Sequence, residues 1–358
     1  MTLKRRTGAS GLLWCLLALA PAPAALGLSL AREAGGEGLS YLLRSRQGPA
    51  TTHGSRRELS EIEKNAEEEI ISWLRKGAAP EAAPSFLDEH AARVLADHHA
   101  AALEVLERWR GLVWWSFVRA KEHVGDYDIG MTLLSNDHSE EMRGTTELYG
   151  LGNYPVPPES VVFDVGGNVG KVAIIMAHIY HGVRVVTFEP SELNRFFLEL
   201  NLAINNVPYI PSGGHRDAGG SKFVLGAESF VEVRGEAITN STGTEDFAFQ
   251  PMSADESGLD PSHRSMSAEY SSVRTITIED AMKELGVDRV RLMKIDCEGC
   301  EFEVFPALSN ATLDRIDSLV GEYHAHLEPF HQDEIEGVRR VACARGWVFH
   351  PQLVCMGR

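Results

Sequence analysis

From residue 161 onward, short unbroken apolar runs alternate with longer stretches of helical period. Residues 161–163 (VVF), 183–188 (VRVVTF) and 290–295 (VRLMKI) are rich in β-branched and aliphatic side chains, the composition of parallel strands buried on both faces. Residues 171–182 (KVAIIMAHIYHG) form a helix-length apolar stretch closed by glycine. A second helix is expected over residues 191–201, where Pro190 sets the start and Ser191 or Asn194 satisfies free amides. Residues 208–220 read as a polar, glycine-rich surface loop. Residues 230–249 read as strand, turn and strand with the turn at 240–243, and residues 273–286 as a strand followed by a helix. The third strand ends near residues 238–240. Residues 318–323 (SLVGEY) form another strand, and residues 337–350 a helix and a last strand. Residues 250–272 are polar and aperiodic, the pattern of a lid or binding loop or, equally, of a disordered surface loop.

The pattern before residue 145 is different. Residues 56–76 place Leu59, Ile62, Ala66, Ile70 and Trp73 or Leu74 at spacings of three and four, an amphipathic helix. Residues 86–124 read as a second helical region with Val94, Leu95, Leu103, Leu106, Trp109 and Val113 as its stripe. Trp109, Trp114 and Trp115 read as core. His90, His98 and His99 read as a solvated face, since no HExxH frames them.

The first strand runs into VVFDVGGNVG, residues 161–170. Strand, glycine-rich turn and helix make the first half of a nucleotide-binding βαβ unit, in which glycine lets the backbone turn and a ligand approach. Amides at the helix start offer donors to that ligand. The second strand ends on Glu189, near the offset of about 20 residues at which a carboxylate grips a ribose diol. The spacing Asp164, Gly166, Gly170 lacks the second glycine of a dinucleotide fingerprint. Asp164 repels a pyrophosphate and suits an ammonium. S-adenosyl-L-methionine has an amino acid end, a sulfonium and an adenosine but no phosphate, and fits better than a dinucleotide.

Three segments, VVFDVGGNVG, VTFEPSELNRFFLELNLAINN and RLMKIDCEGCEFEVF, occur in an order that resembles the FkbM-type methyltransferase family. The matching positions are Asp164, Gly166, Asn168 and Gly170; Phe188, Glu189 and Pro190; and Lys294, Ile295, Asp296, Glu298, Gly299 and Glu301. The resemblance covers residues 145–347. It implies an α/β, Rossmann-like class I methyltransferase fold, with a mostly parallel sheet flanked by helices and an N-terminal helical extension. It also implies S-adenosyl-L-methionine as donor, with residues 238–240 as candidate neighbours of its adenine, and usually an oxygen acceptor on a sugar or secondary metabolite, which the loop at residues 250–272 would cover. Gly167 stands where alanine is common, and Cys297 and Cys300 replace apolar and small residues.

Candidate donor-binding residues are therefore Asp164, Gly166, Asn168, Gly170 and Glu189. Ligands in open α/β sheets sit beyond the carboxyl ends of strands. That places Asp296, Glu298 and His324 as candidate catalytic residues, with Asp296 preferred as proton acceptor. The structural alternative is that Asp296 caps a helix and Lys294 pairs with a carboxylate. Carboxylates here also have the chemistry to hold a divalent cation with a third ligand, but no resident metal is expected. The competing functions are an NAD-dependent oxidoreductase on the same fold and a non-catalytic glycan-binding or scaffold protein.

The net charge of −17 over 358 residues argues against a nucleic-acid partner. Residues 1–30 combine Lys4, Arg5 and Arg6 with an apolar block, LLWCLLALA, and small residues beyond it. This is the pattern of a secretory signal peptide or short signal anchor, with an organelle transit peptide as rival. The expected destination is the ER or Golgi lumen or the exterior, with membrane attachment only if the segment is retained. Two sequons, at Asn240 and Asn310, agree with that route. The expected domains are residues 1–30, a linker at 31–55, a helical stem or cap at 56–144 and the methyltransferase domain at 145–358. Cys297, Cys300, Cys343 and Cys355 admit two bridges in three connectivities. Cys297-Glu298-Gly299-Cys300 has the spacing of a redox pair, but an acid between the cysteines disfavours the thiolate, and a second close pair for zinc is absent.

Overall fold

A computed structural model describes residues 3–5, 61–85, 87–109, 116–124, 127–135, 150–213, 228–249, 269–322 and 348–350. The chain divides into two units. Residues 1–5 and 53–358 form the first, and residues 6–52, the second, lie outside the described residues.

The first unit begins with strand β1 (Leu3–Arg5) and helices α1 (Glu61–Arg75), α2 (Glu89–Asp97) and α3 (His99–Arg108). Asp88 caps α2 by accepting from the Ala91 amide at 2.8 Å. The helical expectation for residues 86–124 ends at Arg108. Residues 116–124 are instead a strand, β2 (Ser116–Val124), paired antiparallel with β3 (Tyr127–Ser135), which also pairs with β1. The register sets Val124 opposite Tyr127, so Gly125 and Asp126 are the whole connection. A two-residue Gly-Asp link between such runs is a hairpin signal, and it outweighs the apolar spacing that suggested a helix. Trp109 is buried, as expected of a core residue; Trp114 and Trp115 lie outside the described residues.

The second sheet follows the predicted pattern. Its elements in chain order are β4 (Val161–Val165), α4 (Lys171–Ile179), β5 (Arg184–Phe188), α5 (Glu192–Ile204), β6 (Tyr209–Ile210) and β7 (Phe230–Arg234). Then come β8 (Ala237–Ile238), β9 (Gly243–Phe249), β10 (Glu269–Ile276), α6 (Ile278–Glu284) and β11 (Leu292–Ile295). Helices α7 (Glu301–Ala307) and α8 (Asn310–Leu313) and strands β12 (Leu319–Glu322) and β13 (Val348–His350) complete the described elements. The sheet order is β13-β12-β11-β4-β5-β7-β6, with every described pair parallel. Residues 209–210, expected in a loop, add the edge strand. Ser191 caps α5 by accepting from the Asn194 amide, as its sequence suggests.

Side chains alternate between two cores. Val162, Val185 and Leu292 pack with α4, α5 and the N-terminal helices on one face; Phe163, Val186, Met293 and Ile295 pack with α6 and α7 on the other. Ile238, a candidate adenine neighbour, sits in the second core. Strands β8, β10 and β9 form a separate three-stranded sheet. The acceptor loop expected at residues 250–272 falls mostly outside the described residues. Among the described residues, no helix is long and apolar enough to cross a membrane.

The chain lays down β4, β5 and β7 in one direction, then returns to place β11 and β12 on the other side of β4. The crevice beyond the carboxyl ends of β4 and β11 is therefore the topological switch point, where such sheets hold ligands.

Candidate functional site

The bend after β4 is shaped by close approach. Gly166 has φ +79°, and a Cβ there would overlap the Asp296 carbonyl oxygen. Gly170 precedes α4 at φ +89°, and its Cβ would press on Leu198 of α5 at 3.1 Å. Asn168 takes φ +46°, a left-handed conformation that asparagine tolerates. Gly167 cannot gain a Cβ without striking the Thr187 hydroxyl.

The amides of Gly166 and Gly167 donate to Phe188 O, at 3.1 and 2.9 Å, and that of Gly170 donates to Gly167 O. The Asn168 amide donates to Glu189 Oε2 at 2.8 Å. The bend is thus fastened to the end of β5, which leaves the amides at the start of α4 as the donors that the sequence offers to a ligand.

Glu189 is 5% exposed and joins bend to strand end. Its Oε1 accepts from the Ser191 amide at 2.9 Å, while Oε2 holds Asn168. Arg195 donates to the carbonyls of Glu189 and Pro190 at 2.9 and 2.6 Å, fixing the turn behind it. Burial pushes the Glu189 pKa up to about 7, against the pull of the Ser191 and Asn168 amides and of Arg195 and Lys294. The predicted meeting of acid and bend is therefore present in space.

Asp164 behaves differently from its expectation. Its side chain is fully buried and faces inward: Oδ2 accepts from Thr187 Oγ1 at 3.0 Å, and Oδ1 meets the Lys294 ammonium at 3.4 Å. The ammonium that it finds is a protein one. Burial raises the Asp164 pKa, with Lys294 and Thr187 opposing. Lys294 lies under the bend, donating to Gly166 O at 2.7 Å and Val165 O at 3.3 Å, with Asp296 Oδ2 at 3.5 Å. Burial works against its charge, but Asp296 and Asp164 outweigh that and hold its pKa above the ordinary value. Of the structural alternative, the pairing of Lys294 with a carboxylate is present; a helix cap by Asp296 is not, because Cys300 occupies the cap position of α7.

Asp296 follows β11 directly, and its amide donates to Val165 O at 3.1 Å. Its side chain is 22% exposed, and its carbonyl oxygen lies against the Gly166 bend. Glu298 follows in the next turn, half-buried at φ +54°, and Gly299 is buried at φ +103°. His324, the third catalytic candidate, lies outside the described residues. Cys297 and Cys300 are joined in a disulfide, so their sulfurs are no longer thiolate ligands, although they and Glu301 place donor atoms within 4.8 Å of one another. Cys343 and Cys355 lie outside the described residues.

One supporting residue escaped the sequence reading. Asn201 of α5, fully buried, accepts from the Leu134 amide at 2.7 Å and donates to Leu134 O at 2.7 Å and to Val169 O at 2.9 Å. It thereby ties the glycine bend to β3. Asn205, one helical turn on, pairs likewise with Thr132 at 3.0 and 2.6 Å. The legible signal is a pair of asparagines four apart in an apolar helix, where asparagine is a poor helix former unless its amide bonds backbone. A cavity of about 290 Å³, lined by Tyr127, Tyr154, Tyr180 and His181, opens at the far end of α4 from the bend.

Comparison with known proteins bears on this crevice. The methyltransferase FkbM domain matches residues 164–349, from the strand carrying Asp164 to the last described strand. A 212-residue stretch is 28% identical to the AMB antimetabolite synthetase AmbE of Pseudomonas aeruginosa, covering 54% of this chain and 10% of that protein. Methyltransferase 1 of Beauveria bassiana is 28% identical over 174 residues, covering 47% of this chain and 66% of that one. The 31-O-demethyl-FK506 methyltransferase FkbM of Streptomyces tacrolimicus is 26% identical over 191 residues, with the same coverages of 47% and 66%. The chain thus spans a tenth of the first of these relatives and just under two thirds of the other two.

Proposed function

The chain belongs to the FkbM methyltransferase family, and from that premise we propose S-adenosylmethionine-dependent methyl transfer to a hydroxyl oxygen of a glycan or small metabolite. The observation that carries the donor assignment is the Glu189 carboxylate locked against the glycine bend by the amides of Asn168 and Ser191. Both oxygens are fixed, and each retains a lone pair for a ribose hydroxyl. The fit extends to charge. Asp164, Glu189 and Asp296 surround the bend, and the Lys294 ammonium is 2% exposed and so withheld from any phosphate. That arrangement opposes a pyrophosphate and favours a cationic donor.

Bound there, S-adenosylmethionine supplies a methyl group on a positively charged sulfur. The chain's own work is to orient and to move a proton. Glu189 fixes the sugar, and Gly166, having no side chain, lets the bend pack directly on Asp296 O. Asp296, the more open acid at the strand end, accepts the acceptor's hydroxyl proton, with Glu298 flanking it. A hydroxyl acceptor is supported by the relative whose name specifies 31-O-demethyl-FK506. The sequence pattern of residues 1–30 supports entry to the secretory pathway, where glycan hydroxyls are abundant.

The test is calorimetric titration of the full chain with S-adenosylmethionine and, separately, NAD. We expect binding of the first and not the second, and a loss of about tenfold in Glu189→Ala, the size of a hydrogen bond to a charged group. A preference for NAD would replace the reading with the oxidoreductase alternative. Donor binding without transfer to any hydroxyl-bearing glycan or metabolite would favour the non-catalytic one.

A further inference from the structure

We propose that Cys297 and Cys300 form a redox-modification site, a disulfide that staples the turn after β11 against the glycine bend and whose reduction by a dithiol weakens donor binding. The donor half of this statement rests on the S-adenosylmethionine reading above.

The two cysteines are bonded with Cα atoms 5.5 Å apart, an ordinary span for a disulfide. The bond encloses only Glu298 and Gly299, both at positive φ, at +54° and +103°. Glycine takes that conformation freely, but a glutamate does so only when its surroundings impose it. The disulfide closes the shortest loop through this pair and is one such constraint. A second is Glu301, fully buried, whose Oε2 accepts from the Gly299 amide at 3.1 Å and lies 3.5 Å from Cys297 Sγ.

The stapled turn is one wall of the donor crevice. Asp296 O fills the space that a Gly166 side chain would need, and Cys297 Cα comes within 3.3 Å of the same point. Lys294 bonds Gly166 O at 2.7 Å and faces Asp296 O at 3.5 Å, so bend and turn share one ammonium. A change of conformation at residues 297–300 is therefore transmitted to Asp296 and Gly166 without an intermediary. Both cysteines are only partly buried, at the edge of the second core.

The chemistry balances as thiol–disulfide exchange. One thiolate of the reductant attacks a cysteine sulfur, the Cys297–Cys300 bond breaks, and a mixed disulfide forms. The reductant's second thiol displaces it. Two electrons and two protons pass to the cysteines, and the reductant leaves as its own disulfide. In the reduced form the Cys297 thiol has Glu301 as acceptor, and the turn loses its covalent closure.

The experiment compares air-oxidised full chain with the same chain reduced by dithiothreitol, all buffers containing EDTA so that the freed thiols bind no metal. Two quantities are read: S-adenosylmethionine affinity by calorimetry, and hydrogen exchange of the peptides spanning residues 164–171 and 296–302. Reduction should weaken affinity about fivefold or more and speed exchange in both segments. The Cys297→Ser/Cys300→Ser double variant should match the reduced protein under both conditions. Unchanged exchange on reduction overturns the staple, as does a redox response surviving in the double variant. Unchanged affinity in a protein that binds the donor overturns its link to function. Faster exchange in a protein that binds no donor in either state leaves the staple standing and overturns the donor reading instead.

Discussion

The two turns that meet at the switch point are built on opposite principles. The bend after β4 obtains its left-handed conformations from glycine and asparagine, and its amides are held by the end of β5. The turn after β11 puts a glutamate at φ +54° and closes the loop covalently. One turn is compatible with its residue types locally; the other is imposed by a covalent bond and by the buried Glu301 carboxylate. The lesson is that adjacent walls of one crevice differ in what would loosen them. The first yields to a side chain that does not fit, the second to a change of chemistry.

The largest effect expected on the first wall comes from Gly166→Ala. Its Cβ would overlap a backbone oxygen of β11's turn, and its φ of +79° suits alanine poorly. Backbone is harder to displace than a flexible side chain. Overpacking of about 1–3 kcal/mol and a left-handed penalty of about 1–2 kcal/mol add to about 2–5 kcal/mol, and the overlap with backbone puts the cost at the upper end, comparable with a whole domain's stability. Urea unfolding checks this. A shift under about 1 kcal/mol would mean that the two walls are not in contact, and the comparison would break.

Next comes the fastening of the bend from behind. Asn201→Ala strands the amide and carbonyl of Leu134 and the carbonyl of Val169, all bonded to one buried side chain. At about 1–3 kcal/mol for each buried group left unpaired, the expected loss is about 4 kcal/mol. Asn205→Ala, bonded to Thr132 in the same way but without a contact to the bend, sharpens the comparison. Both variants should lower the melting temperature, but only Asn201→Ala should also weaken donor affinity when measured well below it.

How much of this was legible in the sequence follows the same division. The apolar runs of β4, β5 and β11, the glycine bend and the Glu189 contact could be read, because each depends on a residue type acting on its own neighbours. The reach of Asp164 could not. An acid at a strand end looks the same whether it faces a ligand or a buried lysine, and only the pairing of β4 with β11 sets Asp164 beside Lys294. Asn201 was missed for a similar reason, since its partners lie 67 and 32 residues away. The hairpin of β2 and β3 was missed because tryptophan, valine and leucine at mixed spacing satisfy a helical stripe, while the decisive signal was the Gly-Asp pair between the strands. The cysteine pair was visible, but its bonding was not.

The smallest of these effects is carried by protons on Glu189, and it tests whether the first wall is as settled as its hydrogen bonds suggest. Burial raises the Glu189 pKa from about 4.5 to about 7. The folded protein therefore holds a proton between those values that the unfolded chain has released. By linkage, the contribution to stability is full below about pH 4.5 and is lost as the pH rises through 7. A shift of this size corresponds to roughly 3 kcal/mol. Donor-free protein should thus become less stable between pH 5 and 8 by up to that amount, and Glu189→Gln, which stays uncharged, should remove this component of the slope. Donor affinity should run the opposite way, rising through about pH 7 as the carboxylate ionises and both oxygens become acceptors for the ribose. Melting curves and calorimetry on wild type and Glu189→Gln read the two trends separately. If stability is flat with pH while affinity still rises, Glu189 is not the titrating group, and the first wall has no part in the pH dependence.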